Sequence, residues 1–114
     1  MRLPLNQKIA ILLHEGLTKS HGKTGLSILR YSGSPIVAVI DRECPGQSIL
    51  ELTGIKRSVP IVASVSAALS YQPEVLVIGI APKGGTLPDH YWTEIKEALR
   101  SGMSVVNASL ISVQ

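Results

Sequence analysis

Ile9-Ala10-Ile11-Leu12-Leu13 runs without a break into His14-Glu15-Gly16-Leu17-Thr18-Lys19-Ser20-His21-Gly22-Lys23-Thr24-Gly25. Five consecutive apolar residues with no period of two read as a strand covered on both faces, the pattern of a parallel sheet flanked by helices. After the polar stretch, Lys23 to Tyr31 brings Leu26, Ile28 and Leu29 towards one helical face until Ser32-Gly33-Ser34 ends it. This unit of strand, polar turn and helix sets the pattern for the rest of the chain.

Pro35 admits a second apolar run, Ile36-Val37-Ala38-Val39-Ile40, which ends on Asp41. Gln47 to Thr53 reads as a short helical turn capped by Gly54, and Pro60 opens a brief strand at Ile61-Val62. Ser64 and Ser66 are both placed to cap a helix through Ala67, Ala68 and Leu69, which must finish before Pro73. Val75 to Ile80 is the fourth strand. Asp89 reads as the N-cap of the clearest helix, in which Trp92, Ile95 and Leu99 recur at three and four residues until Gly102. Val105-Val106 begins a fifth strand. Each parallel return needs a crossover, so the fold class is α/β, a doubly wound, Rossmann-like parallel sheet of about five strands with helices on both faces.

At 114 residues the chain has room for one core. That core must be aliphatic: 36 residues are isoleucine, valine or leucine, phenylalanine is absent and Trp92 is the only tryptophan. The formal charge is +3, with the charges scattered singly, and four aromatic rings supply too few stacking platforms, so nucleic acid is excluded as a partner. Cys44 is alone, which rules out an internal disulfide and a multi-thiolate metal site and points to a reducing, cytoplasmic setting. His14 and His21 lack a third ligand at recognisable spacing, so no metal is expected. The apolar runs are too short for a membrane helix.

In doubly wound sheets ligands bind beyond the carboxyl ends of the strands, so the loops after strands one, two and four are where a site is expected. The first is close to two phosphate-binding motifs and identical to neither. A Walker loop needs four residues between its first glycine and Gly-Lys-Thr, whereas Gly16 and Gly22 are separated by five. The G-x-G-x-x-G fingerprint would put glycines at 20, 22 and 25, and Ser20 stands at the first. Gly22, Lys23 and Thr24 nevertheless open a helix whose amides can meet a phosphate, with Lys19 nearby. Asp41 ends the second strand, where a carboxylate can accept from both ribose hydroxyls, and Arg42 beside it could meet a phosphate. The plainer alternative is that the glycines permit close packing and Asp41 caps its loop. Gly84 and Gly85 would let backbone approach a ligand at the same crevice if the fourth strand neighbours the first.

Together, Lys8-Ile9-Ala10-Ile11-Leu12-Leu13, Gly22-Lys23-Thr24, Tyr31, Val37 to Arg42, Gly46-Gln47, Val59-Pro60-Ile61-Val62 and Val77 to Gly85 resemble the D-glutamate N-acetyltransferase-like family, long catalogued as domain of unknown function 1611. The resemblance runs from Asn6 to Asn107, and Leu76 to Pro88 is its most specific part. It implies a Rossmann-like N-terminal domain, followed in family members by a larger domain with a true P-loop, and for some members acetyl transfer from acetyl-CoA to D-glutamate. Residues 1–107 correspond to the first domain. Ala108 to Gln114 departs from the glycine, leucine and histidine with which the family continues, so the tail is expected to be divergent and the P-loop domain absent. The resulting expectation is a ligand-binding or interaction module without turnover of its own. The alternatives are a stand-alone dinucleotide or CoA binder and a structural domain packing on a separate P-loop partner. Leu110, Ile111 and Val113 add an expectation of self-association through the tail.

Overall fold

The computed structural model describes residues 6–19, 22–80 and 86–107. The expectations for Gly84, Gly85 and the tail from residue 108 lie outside them. Five strands, β1 (Ile9–Leu12), β2 (Ile36–Ile40), β3 (Ile61–Val62), β4 (Val75–Ile78) and β5 (Ser104–Asn107), form one parallel sheet in the order β3-β2-β1-β4-β5. The helices are α1 (Lys23–Tyr31), α2 (Ile49–Thr53), α3 (Val65–Ala68), which continues as a 3₁₀ turn over Leu69–Tyr71, and α4 (Asp89–Arg100). Strand growth proceeds outward from β1 through β2 to β3, then jumps back to β4 on the other side of β1. Right-handed crossovers therefore put α1 and α2 on one face and α3 and α4 on the other, and α3 packs on α4 and β2.

β1 and β4 are buried along their whole length, as the unbroken apolar runs require. Burying a single Ile or Leu side chain contributes roughly 1.5–3 kcal/mol, and β1 alone holds Ile9, Ile11 and Leu12 with no exposed surface. Arg57 closes the end of α1, donating to the carbonyls of Leu29, Ser32 and Ser34, so this helix stops without a glycine cap. Ser64 is the cap of α3, accepting from the Ala67 amide at 3.1 Å, and Ser66 lies inside the helix.

Three details depart from the sequence reading. β4 stops at Ile78 rather than Ile80, because the Gly79 carbonyl turns out of the ladder to accept from Gly25 at 2.8 Å. Asp89 is the first residue of α4, with Pro88 in the capping position and no side chain capping that end, so its charge serves the helix dipole instead. The face of α4 is also rotated. Tyr91, Glu94, Ile95 and Ala98 are buried, whereas Trp92 and Leu99 are 48% and 57% exposed.

Candidate functional site

The reversal of strand order falls between β1 and β4, and the loop after β1 lies in that position. It descends as three linked turns, Gly16 N–H to Leu13 O, Lys19 N–H to Gly16 O, and Gly22 N–H to Lys19 O. Gly22, predicted as a phosphate contact, sits against the loop itself: a Cβ there would lie 1.9 Å from the Gly16 carbonyl oxygen. At Gly25 a Cβ would meet Leu13 Cδ2 at 2.6 Å and Gly79 O at 2.9 Å. Close packing of α1 onto the ends of β1 and β4 thus requires both glycines. Lys23 is exposed and Thr24 half-buried at the helix start, where Gly22 in the N-cap position supplies no side-chain cap.

Asp41 is 1% exposed, and its carboxylate accepts from the amides of Glu15 (3.1 Å), Leu17 (3.3 Å) and Glu43 (2.9 Å). The structure brings it to the β1 loop, as the crevice reading requires, but its oxygens face the chain's own backbone rather than an open ribose position. These contacts are those of the loop-capping alternative. Cys44, next to it, is buried, and desolvation together with the Asp41 charge pushes its thiol up to about 11. Nothing electropositive beside it favours the thiolate.

Sequence reasoning missed the cluster that surrounds this loop. His14 is 2% exposed, and its Nδ1 accepts from the Arg42 amide at 3.0 Å. Nε2 therefore carries the proton, 2.5 Å from Glu94 Oε2. The other oxygen of Glu94 accepts from the Val65 amide at the start of α3, at 3.1 Å. Tyr91 donates its hydroxyl to the His14 carbonyl at 2.6 Å, and burial, reinforced by the charges of Glu15 and Asp41, pushes the phenol's pKa upward so that it stays a donor. At the rim Glu15 holds two partners, the Arg42 guanidinium and His90 Nε2 at 2.9 Å. Burial opposes the Glu15 charge, yet those two hydrogen bonds and charges bring its carboxyl below the ordinary value. Glu15 also adopts a left-handed backbone at φ 59, which is uncommon for a residue with a side chain.

Both His14 nitrogens are engaged and the ring is enclosed, so His14 positions the loop rather than moving protons for a ligand. His90, with 28% of its side chain exposed and a carboxylate orienting it, is the imidazole at the rim. Arg42, suggested as a phosphate contact, is half-exposed but already paired with Glu15. No local signal in the sequence marks this cluster: Glu94 shares a buried face with Tyr91, and the partners that make a buried carboxylate tolerable lie far along the chain. Among the described residues no group of three or more side chains is arranged to hold a metal ion, and no helix is long and apolar enough to cross a membrane.

A five-stranded parallel sheet in this order, with its polar loops gathered where the strand order reverses, defines a Rossmann-like α/β domain. The chain belongs to the DUF1611 family. Residues 42–109 match the family model described as "Domain of unknown function (DUF1611_N) Rossmann-like domain". A crystal structure of a DUF1611 family protein from Anabaena variabilis ATCC 29413 is 70% identical, with a TM-score of 0.89 over 92% of this chain. The chain spans about 30% of that relative's length, and so corresponds to the N-terminal module of a larger protein. No curated protein matches it.

Proposed function

We propose that the chain is a ligand-binding and interaction module of a DUF1611 protein, without turnover of its own, that takes the phosphate of a nucleotide or of CoA at the start of α1. The observation that carries this reading is the meeting of the α1 start, with glycine in its N-cap position, and the exposed Lys23 with the polar β1 loop, beside the β1–β4 reversal. Occupation of Asp41 by three backbone amides argues for CoA over a dinucleotide, because a dinucleotide reader of this class uses that carboxylate on the ribose diol. Acetyl-CoA is the natural probe, given the acetyltransferase-like resemblance.

Calorimetric titration of acetyl-CoA into the purified chain should show binding, with no release of free CoA when D-glutamate is added. Lys23→Ala should weaken binding by roughly 1.5–3 kcal/mol, the loss of one charge-assisted contact. Equal affinity in the variant would remove the phosphate from this helix start, and steady CoA release would show that the module turns over alone.

A further inference from the structure

We infer that the groove between α4 and β5 is the docking face for the polypeptide that longer DUF1611 proteins carry beyond this module. The inference rests on reading the chain as an interaction module. The groove is open to solvent and offers about 400 Å³ between Ile78, Leu87, Trp92, Ile95, Val105 and Val106. Trp92 lines it and is half-exposed, and Leu99, on the same stripe of α4 next to buried Ile95, is more exposed still, so their exposure is not that of isolated surface residues.

Among the described residues the sheet ends on this side at β5. β5 pairs with β4, and no strand among the described residues lies beyond it. The order 3-2-1-4-5 stops one strand short of the six-stranded dinucleotide-binding sheet, in which the next strand lies against the fifth.

The occupant follows from length. A 70% identical relative is matched over only 30% of its own chain, and this module is the N-terminal part of such proteins. Asn107 both ends β5 and lines the groove, so a chain continuing from β5 emerges at this apolar surface. Lys96 and Arg100 are exposed on the same helix as Trp92 and Leu99. The matching surface should therefore be apolar at its centre with acidic residues at its rim.

The test compares the purified 114-residue chain with the full-length Anabaena relative carrying this chain in place of its own module, by hydrogen exchange. Amides of β5 should exchange at least tenfold more slowly in the full-length protein, while those of α2 should be unchanged. Trp92→Ser combined with Leu99→Ser should leave the melting temperature of the isolated chain within about a degree, and should abolish the added protection in the full-length protein. Protection gained only on another face would overturn this surface but leave the interaction reading standing. Protection gained nowhere would overturn both. If β5 is already protected in the isolated chain, its own tail or, where light scattering shows a dimer, a second copy occupies the groove, and the inference fails.

Discussion

Asp41 and Glu15 both help to hold the β1 loop, and they do so by different physics. Asp41 is enclosed, and each of its three bonds satisfies an amide that would otherwise lack an acceptor. Asp41→Asn keeps the shape but puts an NH₂ group against at least one of these donors, which should cost about 1–3 kcal/mol. For a domain of this size that corresponds to a fall in melting temperature of roughly 4–8 °C per kcal/mol, measurable by calorimetry. A variant that melts with the wild type would return Asp41 to the role of ribose ligand. Glu15 lies nearer the surface, and its carboxyl is held below 4.5 by Arg42 and His90 in the folded state. Its contribution to stability is therefore complete above that value and is lost as pH falls through the lower, folded-state value. Glu15→Gln should flatten the acid limb of a stability-against-pH curve measured by urea unfolding below about pH 5. An acid limb as steep as the wild type's would show that Glu15 gains nothing from its two partners.

At the level of elements, turns and caps were readable because each depends on a local rule. Gly54 adopts φ 77 at the end of α2, where the residue type pointed to a cap, and α3 is capped by Ser64, one of the two serines the residue types offered. The orientation of α4 was not readable, since hydropathy assigns Glu94 to the solvent and so selects the Trp92, Ile95, Leu99 stripe. Burial of Glu94 becomes tolerable only beside His14 and the Val65 amide, and neither neighbour is local in sequence. The glycines were ambiguous for a related reason: a ligand approaching closely and a loop approaching closely both require the absence of a Cβ. The two uses of glycine can be separated by substitution. Gly22→Ala drives a methyl into the Gly16 carbonyl and should destabilise at or above the upper end of the roughly 1–3 kcal/mol typical of overpacking. Gly46→Ala, at φ 79 with nothing within 4 Å, should cost only the left-handed strain of roughly 1–2 kcal/mol. Denaturant midpoints in the reverse order would contradict the packing reading of Gly22.

For the molecule as a whole, the strand count and the parallel sense were legible because β1, β2 and β4 are apolar on both faces, and a sheet so covered leaves little choice of architecture. The polar cluster at its carboxyl edge was not, because it is assembled across chain separations of 80, 77 and 29 residues. That span has a kinetic consequence. Glu94 joins the loop after β1 to the start of α3 from a helix near the other end of the chain, so its contacts require β1, the β3–β4 crossover and α4 to be in place together. Contacts of such long range are expected to form late, after the main folding barrier, and interactions absent from the transition state act on escape from the native state rather than on its formation. In stopped-flow experiments Glu94→Gln should leave the refolding limb nearly unmoved and raise the unfolding limb by about tenfold for each ~1.4 kcal/mol lost. Slower refolding with an unchanged unfolding limb would instead place this carboxylate in the nucleus. If the unfolding limb rises as expected, one buried carboxylate sets how long each folded molecule lasts before it opens.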